Sequence, residues 1–330
     1  MEREKIYNQI INEINSAFAK ASADKRAKNV LLVCHEKPDG DTIGATCALM
    51  NFLAEKNIGY KAFCLDSVPM IYNYIPKTER IENEISTEEM AVFDLIFAID
   101  CGEAKRTGIA DLLAQRTCKL INIDHHDTND CFGDINLVRK HASSTSEIVY
   151  DLLQQKFFIN KNIATSLLTG MLDDTEIFSN PATNHSVIRA SAELLLKGAN
   201  TQKIIRNIFH SRTIDSLKFW GEILSRLHHN QDHNIISTYM TLDDTRKFNL
   251  NEEDAASGIS NYIKGLSEAD VILVLREQEG GYVKGSLRTI KEGIDVAKIA
   301  ALFGGGGHKK AAGFKVKGKI KVEDDGWRIV

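Results

Sequence analysis

Three short runs constrain this chain more than anything else in it: "VLLVC" (30–34), "DLIFAI" (94–99) and "CKLINI" (118–123). A strand with one wet face alternates apolar and polar residues, and these runs do not. Short, nearly unbroken apolar runs read as strands buried on both faces, hence as a parallel sheet covered by helices on each side. Helical and strand patterns alternate around them as such a sheet requires, with "TIGATCALMNFLAEKN" after the first run and "YKAFCL" as a further strand.

The rest of the pattern divides the chain. Its 330 residues suit two domains better than one core. Ile6, Ile10, Ile11, Ile14 and Phe18 give the first 20 residues a helical period. From Ser143 to about Arg226 five helical patterns follow one another: "SSTSEIVYDLLQQ", "KNIATSLLTGML", "NHSVIRASAELLLKG", "TQKIIRNIF" and "TIDSLKFWGEILSRL". From Ile235 strands return ("IISTYM", "DVILVLREQ", "GYVKGSLRTI"), with helices expected around Glu252–Leu266 and near Val296–Leu302. The expected architecture is α/β: a helix-sandwiched parallel-sheet domain over 1–190, a helical linker over 191–225, and a smaller α+β domain over 226–330.

Composition narrows the function classes. Hydrophobic residues at 43% and charged residues at 26% are those of a soluble globular protein. A formal net charge of −4 gives no global pull toward nucleic acid or anionic membrane. No apolar run approaches the roughly 18 residues of a membrane span, and the charged, amphipathic "MEREKIYNQIINEI" is not a signal peptide. The six cysteines lie within the first 131 residues and form no CxxC pair, so they read as reduced core thiols of a cytoplasmic protein. One local imbalance stands out. Between Gly280 and Lys321 there are ten Lys/Arg against two acids, an excess that suits an anionic ligand as well as a solvated basic face.

The strand ends carry the chemistry. "VLLVC" is followed by His35, Asp39 and Asp41; "DLIFAI" by Asp100; "CKLINI" by Asp124-His125-His126; and the apolar "TSLLTGML" by Asp173-Asp174. Alone, "PDGD" reads as a turn and "DHH" as a strand-end aspartate with two surface histidines. Together they point to one crevice, because an open parallel sheet binds its ligand at the carboxyl ends of its strands. So many carboxylates in one crevice repel, and at least one pKa would rise sharply. Two divalent cations would remove that cost. Oxygen and imidazole donors without cysteine suit manganese or a similar ion and argue against structural zinc. Two such ions about 3.5–4 Å apart can activate water for attack on phosphorus. In the second half, "FGGGGHKKAAGF" (303–314) offers an anion cradle, more so if "HKKAAG" opens a helix, or else a linker. Arg288 in "GSLRT" could grip a phosphate, or lie on the surface.

These residues resemble the DHH phosphoesterase superfamily in its form with a C-terminal DHHA1 domain. The resemblance rests on His35-x-x-Pro38-Asp39-Gly40-Asp41-x-x-Gly44, Asp100, Asp124-His125-His126, Asp174 and Gly305-Gly306-Gly307-His308-x-x-Ala311-Ala312-Gly313. It implies a two-metal site, with His35, Asp39 and Asp100 on one ion and Asp41, Asp100, His125 and Asp174 on the other. The expected ion is Mn2+, with Mg2+ or Co2+ as alternatives. It further implies His126 as the residue touching the scissile phosphate and serving as general acid, Asp124 as its support, and Ser143, Ser144 and Thr145 as a segment lining the site. Arg288, Gly305, Gly306, Gly307 and His308 would take the distal end of the substrate. Where relatives often have "TDTG", this chain has Asp173-Asp174-Thr175-Glu176, and the alignment favours Asp174 over Asp173 as the ligand.

Among relatives, the compact two-domain form is most similar to the nanoRNase/pAp-phosphatase group. That similarity implies degradation of short RNA oligonucleotides to mononucleotides and removal of the 3′-phosphate of pAp (3′-phosphoadenosine 5′-phosphate). A soluble phosphodiesterase for pGpG or cyclic dinucleotides is the alternative within the same chemistry, and a non-catalytic nucleotide-binding regulator the alternative outside it. A membrane is not an expected partner, since no apolar run is long enough to span one, nor is long double-stranded nucleic acid, since the chain lacks an extended basic and aromatic track. A homodimer is compatible with this reading.

Overall fold

The computed structural model describes residues 2–24, 29–209, 213–248, 259–263, 266, 268–323 and 326–330. The chain divides into two units, Met1–Ser211 and Arg212–Val330. The first is built on strands β1 (Asn29–Cys34), β2 (Gly59–Phe63), β3 (Ile81–Glu82), β4 (Phe93–Ile99), β5 (Lys119–Asp124) and β6 (Ile135–Val138). They form one sheet in the order β3-β2-β1-β4-β5-β6, and every pairing is parallel. The chain runs outward from β1 through β2 and β3, then returns to the other side of β1 as β4. The order therefore reverses between β1 and β4, the place where such a sheet opens a ligand crevice. The residues immediately after those two strands are His35 and Asp100.

The unit's helices are α1 (Glu2–Asp24), α2 (Gly40–Glu55), α3 (Thr87–Met90), α4 (Ala110–Ala114), α5 (Thr145–Gln154), α6 (Lys161–Asp174), α7 (His185–Leu196) and α8 (Thr201–Phe209). The apolar runs are unbroken because both sheet faces are covered. Val30, Leu32 and Cys34 pack on one side with Ile43, Leu49, Ile148 and Leu167. Leu31 and Val33 pack on the other with Met90, Ile96 and Leu113. On the first side α1 contributes Tyr7, Ile10, Ile11 and Ile14, while the side chain of Phe18 lies outside the described residues. Helix α2 is buried along its whole length from Gly40 to Leu53, as an apolar helix between a sheet and other helices must be. It meets α6 backbone to backbone: a Cβ on Gly44 would lie 2.5 Å from the Ser166 carbonyl oxygen.

The second unit contains α9 (Ile214–Ser225), β7 (His228–Asn230), β8 (Ile235–Met240), α10 (Leu242–Lys247), α11 (Ile259–Ile263), β9 (Val271–Gln278), β10 (Tyr282–Arg288), α12 (Val296–Ala301), β11 (Gly306–His308), β12 (Ala311–Lys317), β13 (Ile320–Glu323) and β14 (Gly326–Ile329). Its main sheet runs β11-β12-β10-β9-β8-β7, antiparallel except for β8 and β9, with cores on both faces. Strands β13 and β14 form a separate ribbon. Residues 252–258 of the helix expected over Glu252–Leu266 lie outside the described residues. The stretch 191–225 is divided between the two cores: Ile204 of α8 packs into the first, and Phe219 and Ile223 of α9 into the second.

One open alternative is decided and one expectation is corrected. "HKKAAG" opens no helix: Gly306–His308 and Ala311–Lys317 are adjacent strands, and the register sets Ala312 and Phe314 inward and Lys315 outward at the two-residue period of a sheet. The cysteines are all free, but only Cys34, Cys47, Cys64 and Cys101 are buried, while Cys131 is exposed in a loop.

Candidate active site

The "PDGD" turn is the start of α2. Asp39 is its N-cap, its Oδ1 accepting the N–H groups of Asp41 (3.1 Å) and Thr42 (3.0 Å). Asp41, in the first turn, reaches the N-terminus of α5, which Ser144 caps. Its carboxylate accepts the N–H groups of Thr145 (2.6 Å) and Ser146 (2.8 Å). Two helix starts are thus joined by one carboxylate, which occupies N–H groups that have no partner within their own helix.

Asp100 leaves β4 with φ +62°, a left-handed conformation that a non-glycine residue holds only where its surroundings dictate it. Its buried carboxylate faces two ways. Oδ2 accepts the Thr42 hydroxyl at 2.7 Å and lies 3.3 Å from His35 Nε2. Oδ1 accepts the Thr145 hydroxyl at 2.8 Å and lies 3.6 Å from His125 Nε2. Around these two oxygens stand the groups His35/Asp39/Asp100 and Asp41/His125/Asp174, with Asp100/His125/His126 a third, overlapping one. Within each group the donor atoms lie within 4.8 Å of one another. A divalent ion bonded at about 2.1 Å puts opposite ligands about 4.2 Å apart, so these groups are of the right size, and their oxygen and imidazole donors are of the right kind.

The electrostatics favour added positive charge. Burial, then the charges of Asp100 and Asp174, drives the Asp41 carboxyl well above its ordinary range. Burial, then Asp100 and Asp39, pushes Asp174 up to about 8. Burial works against a charged His35 ring, yet Asp100 and Asp39 outweigh it and push its pKa up to about 11. Burial likewise opposes ionisation of Asp100, but His35 and then His125 outweigh it and hold that carboxyl well below the usual range. In the absence of cations the cluster therefore keeps protons on some of its acids and on His35, and cation binding would release them.

The adjacent acids Asp173 and Asp174 have different surroundings. Asp174 Oδ2 lies 3.7 Å from His125 Nε2. Asp173 instead accepts the Gly40 N–H at 3.0 Å and the Tyr72 hydroxyl at 3.1 Å. Burial, then the charge of Asp39, pushes Asp173 up to about 7. It sits so close to the turn that a Cβ on Gly40 would lie 2.6 Å from its Cγ.

His126 stands beside this cluster. Its Nδ1 lies 2.7 Å from Oδ1 of the wholly buried Asp124. That bond, against the cost of burial, pushes the ring up to about 9. His126 lines a cavity of about 310 Å³ together with Asp100, Gly102, Arg106 and Thr128. With Nδ1 taken, Nε2 is the nitrogen left for a ligand.

Of the other expected residues, Ser143, Ser144 and Thr145 are wholly buried. Ser144 caps α5, Thr145 holds Asp41 and Asp100, and the Ser143 hydroxyl has no hydrogen-bond partner among the described residues. In the second unit the register pairs Ala311 with Arg288 on one side and with His308 on the other. Arg288 and His308 therefore share a row of the sheet, two strands apart, with only an alanine between them. Gly306 and Gly307 belong to the same edge strand as His308, and Gly305 directly precedes it. Thr42, Tyr72 and Asn129 contribute to the site without having been singled out. Thr42 follows Asp41 directly, the one signal that could have drawn attention to it.

Comparison with known proteins places the chain in a family. The model of the DHH family, N-terminal domain, matches residues 29–171, and that of the DHHA1 domain matches residues 232–324. The chain is 29% identical to the bifunctional oligoribonuclease and PAP phosphatase of Thermus thermophilus, over 88% of this chain and 84% of that one. It is 23% identical to the protein of the same description from Bacillus subtilis, over 87% and 89%. The crystal structure of an exopolyphosphatase-related protein from Bacteroides fragilis superposes with a TM-score of 0.86 at 26% identity, covering 96% of this chain and 92% of that one.

Proposed function

We propose a function from one premise: this chain belongs to the DHH family, with a DHHA1 domain in its second unit, and is a hydrolase of phosphate esters. In our reading it uses two divalent cations, Mn2+ in the first place, to cleave short RNA oligonucleotides to mononucleotides and to remove the 3′-phosphate of pAp. The relatives described as oligoribonuclease and PAP phosphatase support the substrate class, because the likeness spans most of both chains. The observation that carries the metal chemistry is the divided Asp100 carboxylate, one oxygen toward His35 and the other toward His125, each held by a threonine hydroxyl.

His35, Asp39 and Asp100 would hold one cation, and Asp41, Asp100, His125 and Asp174 the other. When bound, the pair supplies the positive charge that lowers the pKa of an attacking water and neutralises phosphate oxygens. His126 Nε2 delivers a proton to the leaving oxygen, and Asp124 keeps the ring in the orientation that allows it. Arg288, His308 and the glycines before it bind the distal phosphate through the basic second unit.

The test is a side-by-side panel with Mn2+: pAp, RNA of two to about ten nucleotides, pGpG, cyclic dinucleotides and pyrophosphate, ranked by kcat/KM. Turnover is expected first on pAp and the shortest RNAs. Asp100→Ala should lose both cations and all turnover, whereas Arg288→Ala should keep the cations and chiefly raise KM. Two bound cations with no turnover of any member of the panel would overturn the reading.

A further inference from the structure

We propose that Asn129 is a positioning residue for this reaction: its side-chain amide fixes Asp124 and, through Asp124, the ring of His126. The inference rests on the functional reading above. Asn129 lies in the loop after β5. Its Oδ1 accepts the N–H of Cys131 at 2.7 Å, and its own N–H donates to the His126 carbonyl at 3.2 Å. The contact to a backbone N–H decides which way round the amide stands, so Nδ2 faces inward. There it meets Asp124 Oδ2 at 2.6 Å, Asn122 Oδ1 at 2.8 Å and the Cys101 carbonyl at 3.1 Å. Asn122 is itself wholly buried and donates its Nδ2 to the Cys101 carbonyl at 3.0 Å, which leaves its Oδ1 turned toward Asn129.

Asp124 thus has one side-chain partner for each oxygen among the described residues, His126 on Oδ1 and Asn129 on Oδ2. A buried carboxylate keeps its place and its charge only while its oxygens are satisfied. Without the Asn129 amide, Oδ2 is bare in the interior and the carboxylate no longer has one preferred rotation. His126 then loses the bond that orients its ring and fixes Nε2 as the nitrogen facing the cavity. Partners that orient an acting histidine from behind are commonly worth about 10- to 100-fold.

Asn129→Asp is the discriminating variant. It keeps the size of the side chain and an acceptor for the Cys131 N–H, but it presents an oxygen to Asp124 where a donor stood. A residue that only shapes the loop would tolerate it. We expect kcat on pAp to fall about 10- to 100-fold with KM and the bound-cation count unchanged. In the His126→Ala background the same substitution should cost nothing further, since both changes remove one function. A measurement independent of turnover is proton NMR of the metal-free protein. The downfield, slowly exchanging Nδ1–H of His126, assigned by its absence in His126→Ala, should disappear in Asn129→Asp. Wild-type kcat, additive losses in the double variant, or an unchanged Nδ1–H signal would each overturn the proposal. If the wild-type protein turns over none of these substrates, the functional reading has failed instead, and the NMR signal still decides the Asn129–Asp124–His126 link.

Discussion

At the scale of single residues, the pair Asp173-Asp174 shows how finely the site is resolved. Successive residues on a helix point about 100° apart, so only one of two adjacent acids can face the cluster. Asp174 approaches His125, and Asp173 fastens the Gly40 turn and the Tyr72 hydroxyl. Asparagine can serve Asp173's partners, because it still accepts the Gly40 N–H and offers an N–H to the Tyr72 oxygen. Asp173→Asn should therefore keep both cations and near wild-type turnover. Asp174→Asn should bind one cation fewer and lose turnover, as metal analysis of the desalted proteins beside a pAp assay would register. The reverse pattern would make Asp173 the ligand. The grouping of His35, Asp39, Asp41, Asp100 and His125 was legible in the sequence, because each follows an apolar run and the fold brings strand ends together. Asn129 was not. An asparagine in a polar loop reads as a turn residue, and only the third dimension brings its amide against Asp124.

At the scale of elements, what was legible followed hydrophobic period. The long strands and the longer helices of the first unit were readable from their apolar spacing, whereas the one-turn helices α3 and α4 were not. β3, β6 and β7 have two to four residues each, too few for a period to emerge. The exit from α6 was hidden for another reason. Glu176, Ile177 and Phe178 have φ of +49°, +54° and +60°, and none is a glycine or asparagine that would signal a left-handed turn. Hydrogen bonds hold this turn. The Ile177 N–H donates to the Leu172 carbonyl at 2.8 Å, and Asn180 Nδ2 to the Asp174 carbonyl at 2.8 Å. Thr175, wholly buried, donates its hydroxyl to the Met171 carbonyl and accepts the Phe178 N–H at 3.1 Å. The turn ends the helix directly after Asp174. Thr175→Val keeps the shape and removes the hydroxyl, leaving the half-buried Phe178 N–H without its partner and the buried Thr175 site without its hydrogen bonds. It should cost about 1–3 kcal/mol in urea unfolding with an unchanged m-value. A loss below about 0.5 kcal/mol would mean that the turn is held by other contacts.

At the scale of the whole molecule, the two units have separate cores and separate sources of charge, which allows one to be followed without the other. Both tryptophans, Trp220 and Trp327, belong to the second unit. Its folding therefore has its own fluorescence signal. In that unit Asp244 is buried and receives a two-pronged bond from Arg226, Nη1 to Oδ2 at 2.6 Å and Nη2 to Oδ1 at 2.8 Å. Burial alone would raise the Asp244 pKa, but Arg226 outweighs burial and holds it below the ordinary value. A carboxyl whose folded pKa is depressed contributes stability in full above its unfolded pKa, about 3.9, and loses it as pH falls through the lower, folded value. Asp244→Asn keeps the shape and removes the charge. Its cost, read by tryptophan fluorescence in urea, should be about 1–3 kcal/mol at pH 7. The cost should persist down to about pH 4 and shrink toward zero as pH falls further, because acid then removes from the wild type what the substitution has already removed. A cost that stays constant from pH 7 to pH 2 would assign it to packing and hydrogen-bond geometry rather than to the ion pair.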